Sequence, residues 1–499
     1  MDASTLKSRV GAEFGARILG IASGGLLIVL LARLLGPSEF GLFFLAMSVL
    51  GVIQLFTKLG IAKSTARYVS EYKEKSPEQI PHVLRTAFLS NLAVIGTLCI
   101  VLVGVNDFAA ALIGRPELKP FLTVGVLYLI AATINDFNRV VLQGFEAIEA
   151  AASLLAVQRT GQLVFSAGFV FLGFGGIGAL YGYIIASAVG AMVGFVYLYR
   201  HYYMVHKSAK SMEPGLRWKI LRYAVPLTLT KSANVIDKRV DRILVGFFLN
   251  PAAVGFYTIG GQISQFTVAP ASSLGFTLSP SYGSSKANDE TERAARLYEL
   301  ALLYTLAVYI PAAVGLIIVA EPIILYVFGE GYRPAKPVVQ IFGIYVILDA
   351  LMKITSSGLS YLGRAWDRAI VKGLTSILNL GLNVFLIPRF GVVGAAVATV
   401  ITFGLYSLAN VTIMYYELNF DPSTVFWPGI RIFGVTAVMG AVTFLLRPMI
   451  TGIVMLIAVI VVSVSVWLGL TLTIGPISIT EAQSALGLGS QDSTDKILE

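Results

Sequence analysis

EFGARILGIASGGLLIVLLARLLGPSEFG, residues 13–41, holds an apolar run that Gly36-Pro37 closes and that a second apolar run follows at once. A helix of about 20 such residues matches the hydrocarbon thickness of a bilayer. Runs of this kind recur from one end of the 499-residue chain to the other. Hydrophobic residues make up 56% of the chain and charged residues 13%, with a mean hydropathy of +0.79. Soluble domains average roughly 45–50% apolar and about 25% charged. The composition excludes a soluble enzyme, a nucleic-acid binder and a disordered scaffold, so the net charge of +9 calls for a membrane explanation. The one cysteine, Cys99, lies in an apolar run and allows no intrachain disulfide. The opening residues lack a short apolar region with a small-residue cleavage site, so no cleaved signal peptide is expected.

The expected fold is an all-α polytopic membrane protein. About fourteen transmembrane helices are expected, near 13–35, 40–59, 84–104, 120–142, 153–172, 177–199, 219–248, 254–277, 297–319, 337–360, 369–387, 392–415, 425–446 and 452–474. Twelve is the alternative count. Gly36-Pro37, Asn250-Pro251, Glu321-Pro322, Pro388-Arg389, Asp421-Pro422 and Arg447-Pro448 supply the turn chemistry at the breaks. With the N-terminus inside, the inner loops carry seventeen lysines and arginines and the outer loops six. That asymmetry places both termini in the cytoplasm of a plasma-membrane protein. The longest loops, 60–85 and 200–222, read as charged linkers, and the tail 475–499 as polar and partly disordered.

Self-comparison exposes a repeat. Gly36-Pro37-Ser38-Glu39-Phe40-Gly41 resembles Asn250-Pro251-Ala252-Ala253-Val254-Gly255 at an offset of 214, and Tyr68 meets Tyr282 at the same offset. Phe174-Gly175-Gly176-Ile177-Gly178-Ala179 matches Phe390-Gly391-Val392-Val393-Gly394-Ala395 at an offset of 216. The anchors predict a duplicated six-helix unit, and an even helix number gives both copies the same topology. The expected division is 1–205 and 206–418 for the two units, 419–474 for two additional helices and 475–499 for a cytoplasmic tail.

At this point the residues resemble a family. The run LARLLGPSEFG, the second-helix ending KLGIAKSTARYVSEY, the passage VDRILVGFFLNPAAVGFY and the helix start FGVVGAAVAT are similar to those of lipid-linked oligosaccharide flippases. These are polysaccharide transporters of the superfamily that also holds multidrug extruders and lipid II flippases. The likeness covers about residues 6–420. It implies two pseudo-symmetric six-helix lobes around a central cavity plus two C-terminal helices. It further implies movement of a polyprenyl-phosphate- or polyprenyl-diphosphate-linked glycan from the inner to the outer leaflet, with glycosyltransferases and a polymerase of the same pathway as partners and no nucleic acid.

Charges inside spans mark candidate function, because a mid-bilayer charge costs several kcal/mol. Lys231, Lys238 and Arg242 in span seven are seven and four residues apart, so at 100° per residue they fall within about 40° of one another. Asp237 and Asp241 lie beside that stripe and offer local pairing as the alternative reading. Arg17 in span one lies 214 before Lys231, and local pairing with Glu13 is its alternative. Two such cations facing each other suit a phosphate or diphosphate. Arg139 and Lys353 complete the substrate candidates, although Asp136 with Arg139 and Asp349 with Lys353 are also spaced as local helix pairs. Asp136, Asp237, Asp241 and Asp349 are the carboxylates able to take a coupling proton or sodium ion. Arg159, Lys58 and Arg33 read as snorkelling or interfacial residues, and Gly20-xxx-Gly24 as close helix packing.

No Walker motif is present, His82, His201 and His206 have no metal-ligand spacing, and no cofactor or metal is expected. A cation-coupled drug antiporter of the same fold would present acidic rather than basic residues. A membrane glycan ligase would need a sizeable polar outer loop, and a non-transporting scaffold in glycan assembly is the remaining alternative.

Overall fold

The computed structural model describes residues 3–206, 208–288 and 290–474, with the side chains of 3–10, 12, 225–238, 274, 276–277, 279–280, 286–287 and 474 left out. The tail 475–499 and the side chains of Lys231, Asp237 and Lys238 therefore lie outside the described residues. Among the described residues all regular structure is helical. The helices are α1 (Ala3–Lys58), α2 (Ile61–Lys75), α3 (Ile80–Ile113), α4 (Leu118–Gly144), α5 (Ile148–Phe169), α6 (Gly175–Leu198), α7 (Leu216–Phe248), α8 (Pro251–Ala287), α9 (Thr291–Ile323), α10 (Lys336–Tyr361), α11 (Ala365–Leu418), α12 (Ser423–Leu446) and α13 (Ile453–Ile474). Nine helical stretches among the described residues are long and apolar enough to cross a membrane.

Three of those stretches are interrupted by glycine. A straight helix of 56 residues, the length of α1, would be about 84 Å long, nearly three hydrocarbon thicknesses. Gly36 (φ 70°, ψ 174°), followed by Pro37, divides it into two legs. Gly391 (φ 61°, ψ −145°) divides α11, and Gly175 (φ 58°, ψ −151°) separates α5 and its final turn from α6. Gly175 and Gly391 are 216 residues apart and share one backbone conformation to within a few degrees. Positive φ recurs at nearly that offset at Gly114 and Gly329, and at Glu146 and Gly363.

The Gly-Pro breaks also meet. A Cβ on Gly41 would lie 1.7 Å from the Pro251 carbonyl oxygen, and one on Gly255 would lie 2.7 Å from that of Pro37. Both pairs are 214 residues apart, so the contact is reciprocal, as a two-fold operation generates. Close packing elsewhere relies on α6, where a Cβ on Gly182, Gly190 or Gly194 would collide with Ser166, Asn135 or Asn138. Gly24, by contrast, has nothing within 4 Å of a built Cβ. The small-residue seam is therefore on α6, and Gly20-xxx-Gly24 is not a close-packing motif along its length.

Packing forms two compact units, one of Met1–Thr258 with Ile387–Val392, the other of Ile259–Leu386 with Val393–Glu499. In the first unit, Ile61, Val69, Tyr72, Val83, Phe137 and Leu216 belong to a buried cluster that joins α2, α3, α4 and the start of α7. The segment 60–85, expected as a linker, contains the amphipathic helix α2. The segment 200–222 is not free either. Its Ala209 amide donates to the Glu78 carbonyl, the Gln79 amide donates to Ser211 O at 3.0 Å, and Ser64 Oγ donates to Ile220 O at 2.7 Å. Glu213 accepts from both Tyr72 and Lys219, and these bonds, Lys219's first, hold its carboxyl below the ordinary glutamate range. In the second unit, Glu321 at the end of α9 accepts from Lys336 at 2.7 Å, Arg333 at 2.9 Å and Arg447 at 2.7 Å. Arg447 follows α12, so this carboxylate fastens the last helical pair to α9, beside a small cluster of Val319, Ile450, Leu456 and Val459.

Candidate functional site

The polar interior of the first unit starts from the aromatic face of the second leg of α1. Phe43 and Phe44 are seven and eight residues past Gly36, with rings 5.2 Å apart, and Phe43 packs edge-on against Tyr183 of α6 at 5.5 Å. Tyr183 in turn meets Tyr128 of α4 at 6.2 Å. The Tyr128 hydroxyl is within electrostatic reach of Arg239, Arg159 and Asp136.

Asp136 of α4 is the anionic centre of this group. Arg139, one turn on, donates to its Oδ1 at 2.8 Å, and Lys58 Nζ from the end of α1 lies 3.3 Å from its Oδ2. The expected local pair is present, but Lys58 is not merely an interfacial anchor: it joins two helices through Asp136. Two cations on one carboxylate leave a positive excess.

Arg242 of α7 lies over the Phe44 ring at 6.0 Å, and its Nε is buried without a hydrogen-bond partner. Asp241 is 5% exposed and accepts from the Tyr257 hydroxyl of α8 at 2.8 Å. Arg239, which the stripe argument passed over, donates to the Met47 carbonyl of α1. It fills a slot left by Gly51, where a Cβ would lie 2.0 Å from the guanidinium carbon. A glycine on the facing leg was the one signal in the sequence, and nothing in either residue alone tied them together.

Arg17 donates to Glu13 at 2.9 Å and is 69% exposed on the first leg of α1, the local geometry that its spacing allowed. Among the described contacts it does not meet Arg242 or Arg139. In the second unit Lys353 Nζ lies 3.3 Å from Asp349 Oδ1 within α10, and the Lys353 carbonyl is where a Cβ on Gly275 of α8 would fall. Neutral polar residues continue this unit's interior: Asn379 donates to Thr402 at 3.2 Å and Asn383 to Asn379 at 2.9 Å. No group of three or more metal-type ligands occurs among the described residues.

Two family models match the chain, one described as polysaccharide biosynthesis protein over residues 16–280 and one as MatE over residues 226–385. The chain is 23% identical to the probable low-salt glycan biosynthesis flippase Agl15 of Haloferax volcanii, over 83% of this chain and 85% of that protein. It is 23% identical to the lipopolysaccharide biosynthesis protein WzxC of Escherichia coli, over 83% of this chain and 81% of that protein. Among solved structures it resembles the lipid II flippase MurJ in an inward closed conformation, with a TM-score of 0.74, 19% identity, and coverage of 93% of this chain and 97% of that one. At that identity the likeness carries the fold.

Proposed function

Because the chain belongs to the polysaccharide biosynthesis protein family, we propose that it flips a polyprenyl-phosphate- or diphosphate-linked oligosaccharide from the cytoplasmic to the outer leaflet. It is a multi-pass membrane transporter and not an enzyme, in keeping with its flippase relatives. The observation that carries the reading is the cationic excess on membrane helices: Lys58 and Arg139 share Asp136, while Arg239 donates to a neutral carbonyl. Cations held in apolar surroundings call for water or an anion facing them. A phosphate-linked glycan supplies the anion, its sugars need a wet path, and its prenyl tail stays in lipid.

The finer architecture in this reading is two six-helix lobes, 1–205 and 206–418, around a central cavity, with 419–474 as two further helices and 475–499 as a cytoplasmic tail. The three glycine-divided stretches turn the nine apolar ones into twelve crossings, and α7 and α8 bring the number to fourteen. The recurring glycine conformations and the reciprocal Gly41–Gly255 contact support the duplication. Both termini face the cytoplasm, following the distribution of lysine and arginine. Arg17, Lys231, Lys238 and Arg242, with Arg139 and Lys353, hold the phosphate. A proton or sodium ion at Asp136, Asp237, Asp241 or Asp349 drives the cycle, and glycosyltransferases and a polymerase of the pathway act beside the transporter.

The test is reconstitution into liposomes with lipid-linked oligosaccharide, reading leaflet accessibility with and without an ion gradient. Flipping that Arg17→Ala or Lys231→Ala removes, in protein that still folds and inserts, is the expected result. Arg17→Lys should keep more activity than Arg17→Ala, since its charge survives without the planar fork. Failure of the parent protein to move any phosphate-linked lipid overturns the function, and normal transport by both alanine variants overturns the site.

A further inference from the structure

Arg159 of α5 plays no part in the reading above, yet it stands in the same polar interior. Its stem lies over Gly20 of the first leg of α1, with Cγ 3.4 Å from where a Cβ would be. Its guanidinium donates to the neutral Gln162 side chain at 3.3 Å. Arg239, on the far side of Tyr128, likewise donates to a neutral oxygen, the Met47 carbonyl. Between them are two phenols, Tyr128 and Tyr183, whose rings are 6.2 Å apart and for which no protein hydrogen bond occurs among the described residues. Arg159 is an electrostatic neighbour of both hydroxyls.

The charges in this chamber do not balance. Lys58, Arg139, Arg159 and Arg239 are four cations, and Asp136, already shared by two of them, is the one carboxylate of the group. We propose that Arg159, Arg239, Tyr128 and Tyr183 form an oxyanion subsite that takes a negatively charged group of the flipped glycolipid. Two guanidinium forks bind a planar or tetrahedral oxyanion by charge-assisted hydrogen bonds, and two phenols add neutral donors beside them. The aromatic faces of Tyr183 and Phe43 border the same space and suit the apolar face of a sugar ring. The group bound is a carboxylate on a sugar or the phosphate of the carrier, which share this chemistry. The proposal rests on the flippase reading and adds residues on α4, α5 and α6 to it.

Three probes separate the sources: a short-chain prenyl diphosphate, the same lipid carrying a neutral disaccharide, and the same lipid carrying a disaccharide that ends in glucuronate. Binding is read by titration of purified full-length protein, and flipping in liposomes, for the parent, Arg159→Gln, Arg159→Lys and Tyr128→Phe. A charge-assisted hydrogen bond contributes about 1.5–3 kcal/mol, so Arg159→Gln should weaken binding by about tenfold or more, with Arg159→Lys restoring part of it. Weakening confined to the glucuronate probe assigns the subsite to an acidic sugar, and equal weakening for all three assigns it to the carrier phosphate. If Arg159→Gln and Tyr128→Phe bind all three probes like the parent, the subsite is overturned, while the flippase reading falls only if the parent itself moves none of them.

Discussion

Arg139 of α4 and Lys353 of α10 are 214 residues apart and hold the corresponding place in the two sequence repeats, yet their surroundings differ. Lys353 has a single carboxylate partner, Asp349, on its own helix. Arg139 shares Asp136 with Lys58, which reaches it from another helix. The position that corresponds to Lys58 is Ser272, and those corresponding to Tyr128 and Tyr183 are Phe342 and Thr399. Duplication kept the helix and the local ion pair in both halves. The cross-helix cation and the phenols belong to the first half, where a polar and positively charged interior was retained, while asparagine and threonine serve the second.

Removing the shared carboxylate is the strongest way to break this comparison. Asp136→Asn strands two cations and should lower unfolding stability in detergent by about 3 kcal/mol, whereas Asp349→Asn strands one and should cost about 1 kcal/mol. Equal losses in thermal or denaturant unfolding would show that the two sites are energetically alike.

The slot at Gly51 sharpens the contrast, because its counterpart in the second half is Gln265. Gly51→Ala drives a methyl group into the Arg239 guanidinium and should destabilise by about 2 kcal/mol. In a chain that also carries Arg239→Ala, the same glycine change should cost almost nothing. Additive losses in that double-mutant cycle would mean that the two residues do not share the slot.

The smallest effect is expected at the inner end of the first unit, where Glu213 straps the segment 204–215 to α2 and α3. Its carboxyl titrates below the ordinary glutamate value of about 4.3, so the strap is fully stabilised above that value. That stability is lost as pH falls through the depressed folded value. Amide hydrogen exchange in 204–215 should therefore rise on acidification before exchange rises in the buried cluster around Tyr282 and Tyr298, and Glu213→Gln should raise it at neutral pH. Unchanged exchange in Glu213→Gln would remove the strap from the account.

Much of the fold was legible before any coordinates. The apolar runs around Gly36 and Gly391 announce membrane helices because hydropathy and turn chemistry act within a few residues. The repeat is visible because Gly-Pro and Phe-Gly breaks impose local backbone conformations that survive sequence drift, as the matching dihedrals of Gly175 and Gly391 show. The pairs Asp136 with Arg139, Asp349 with Lys353 and Glu13 with Arg17 follow from helical spacing alone. The site was less legible. The stripe of Lys231, Lys238 and Arg242 singles out α7, but nothing in its periodicity points to Arg239 as the residue that reaches α1, and Arg159 reads as a snorkelling cation on its own helix.

What the sequence by itself determined, then, is the membrane environment, the helical segments, the duplicated plan and the ion pairs within single helices, since each depends on residues no more than a few turns apart or on composition. The tertiary structure decided which helix faces which. Arg239 meets Met47 across 192 residues, Lys58 meets Asp136 from another helix, and Tyr257 meets Asp241 across a helix break. Those contacts depend on how α1, α4, α7 and α8 are rotated and how closely glycines let them approach, and that is a property of packing among helices which no single helix encodes.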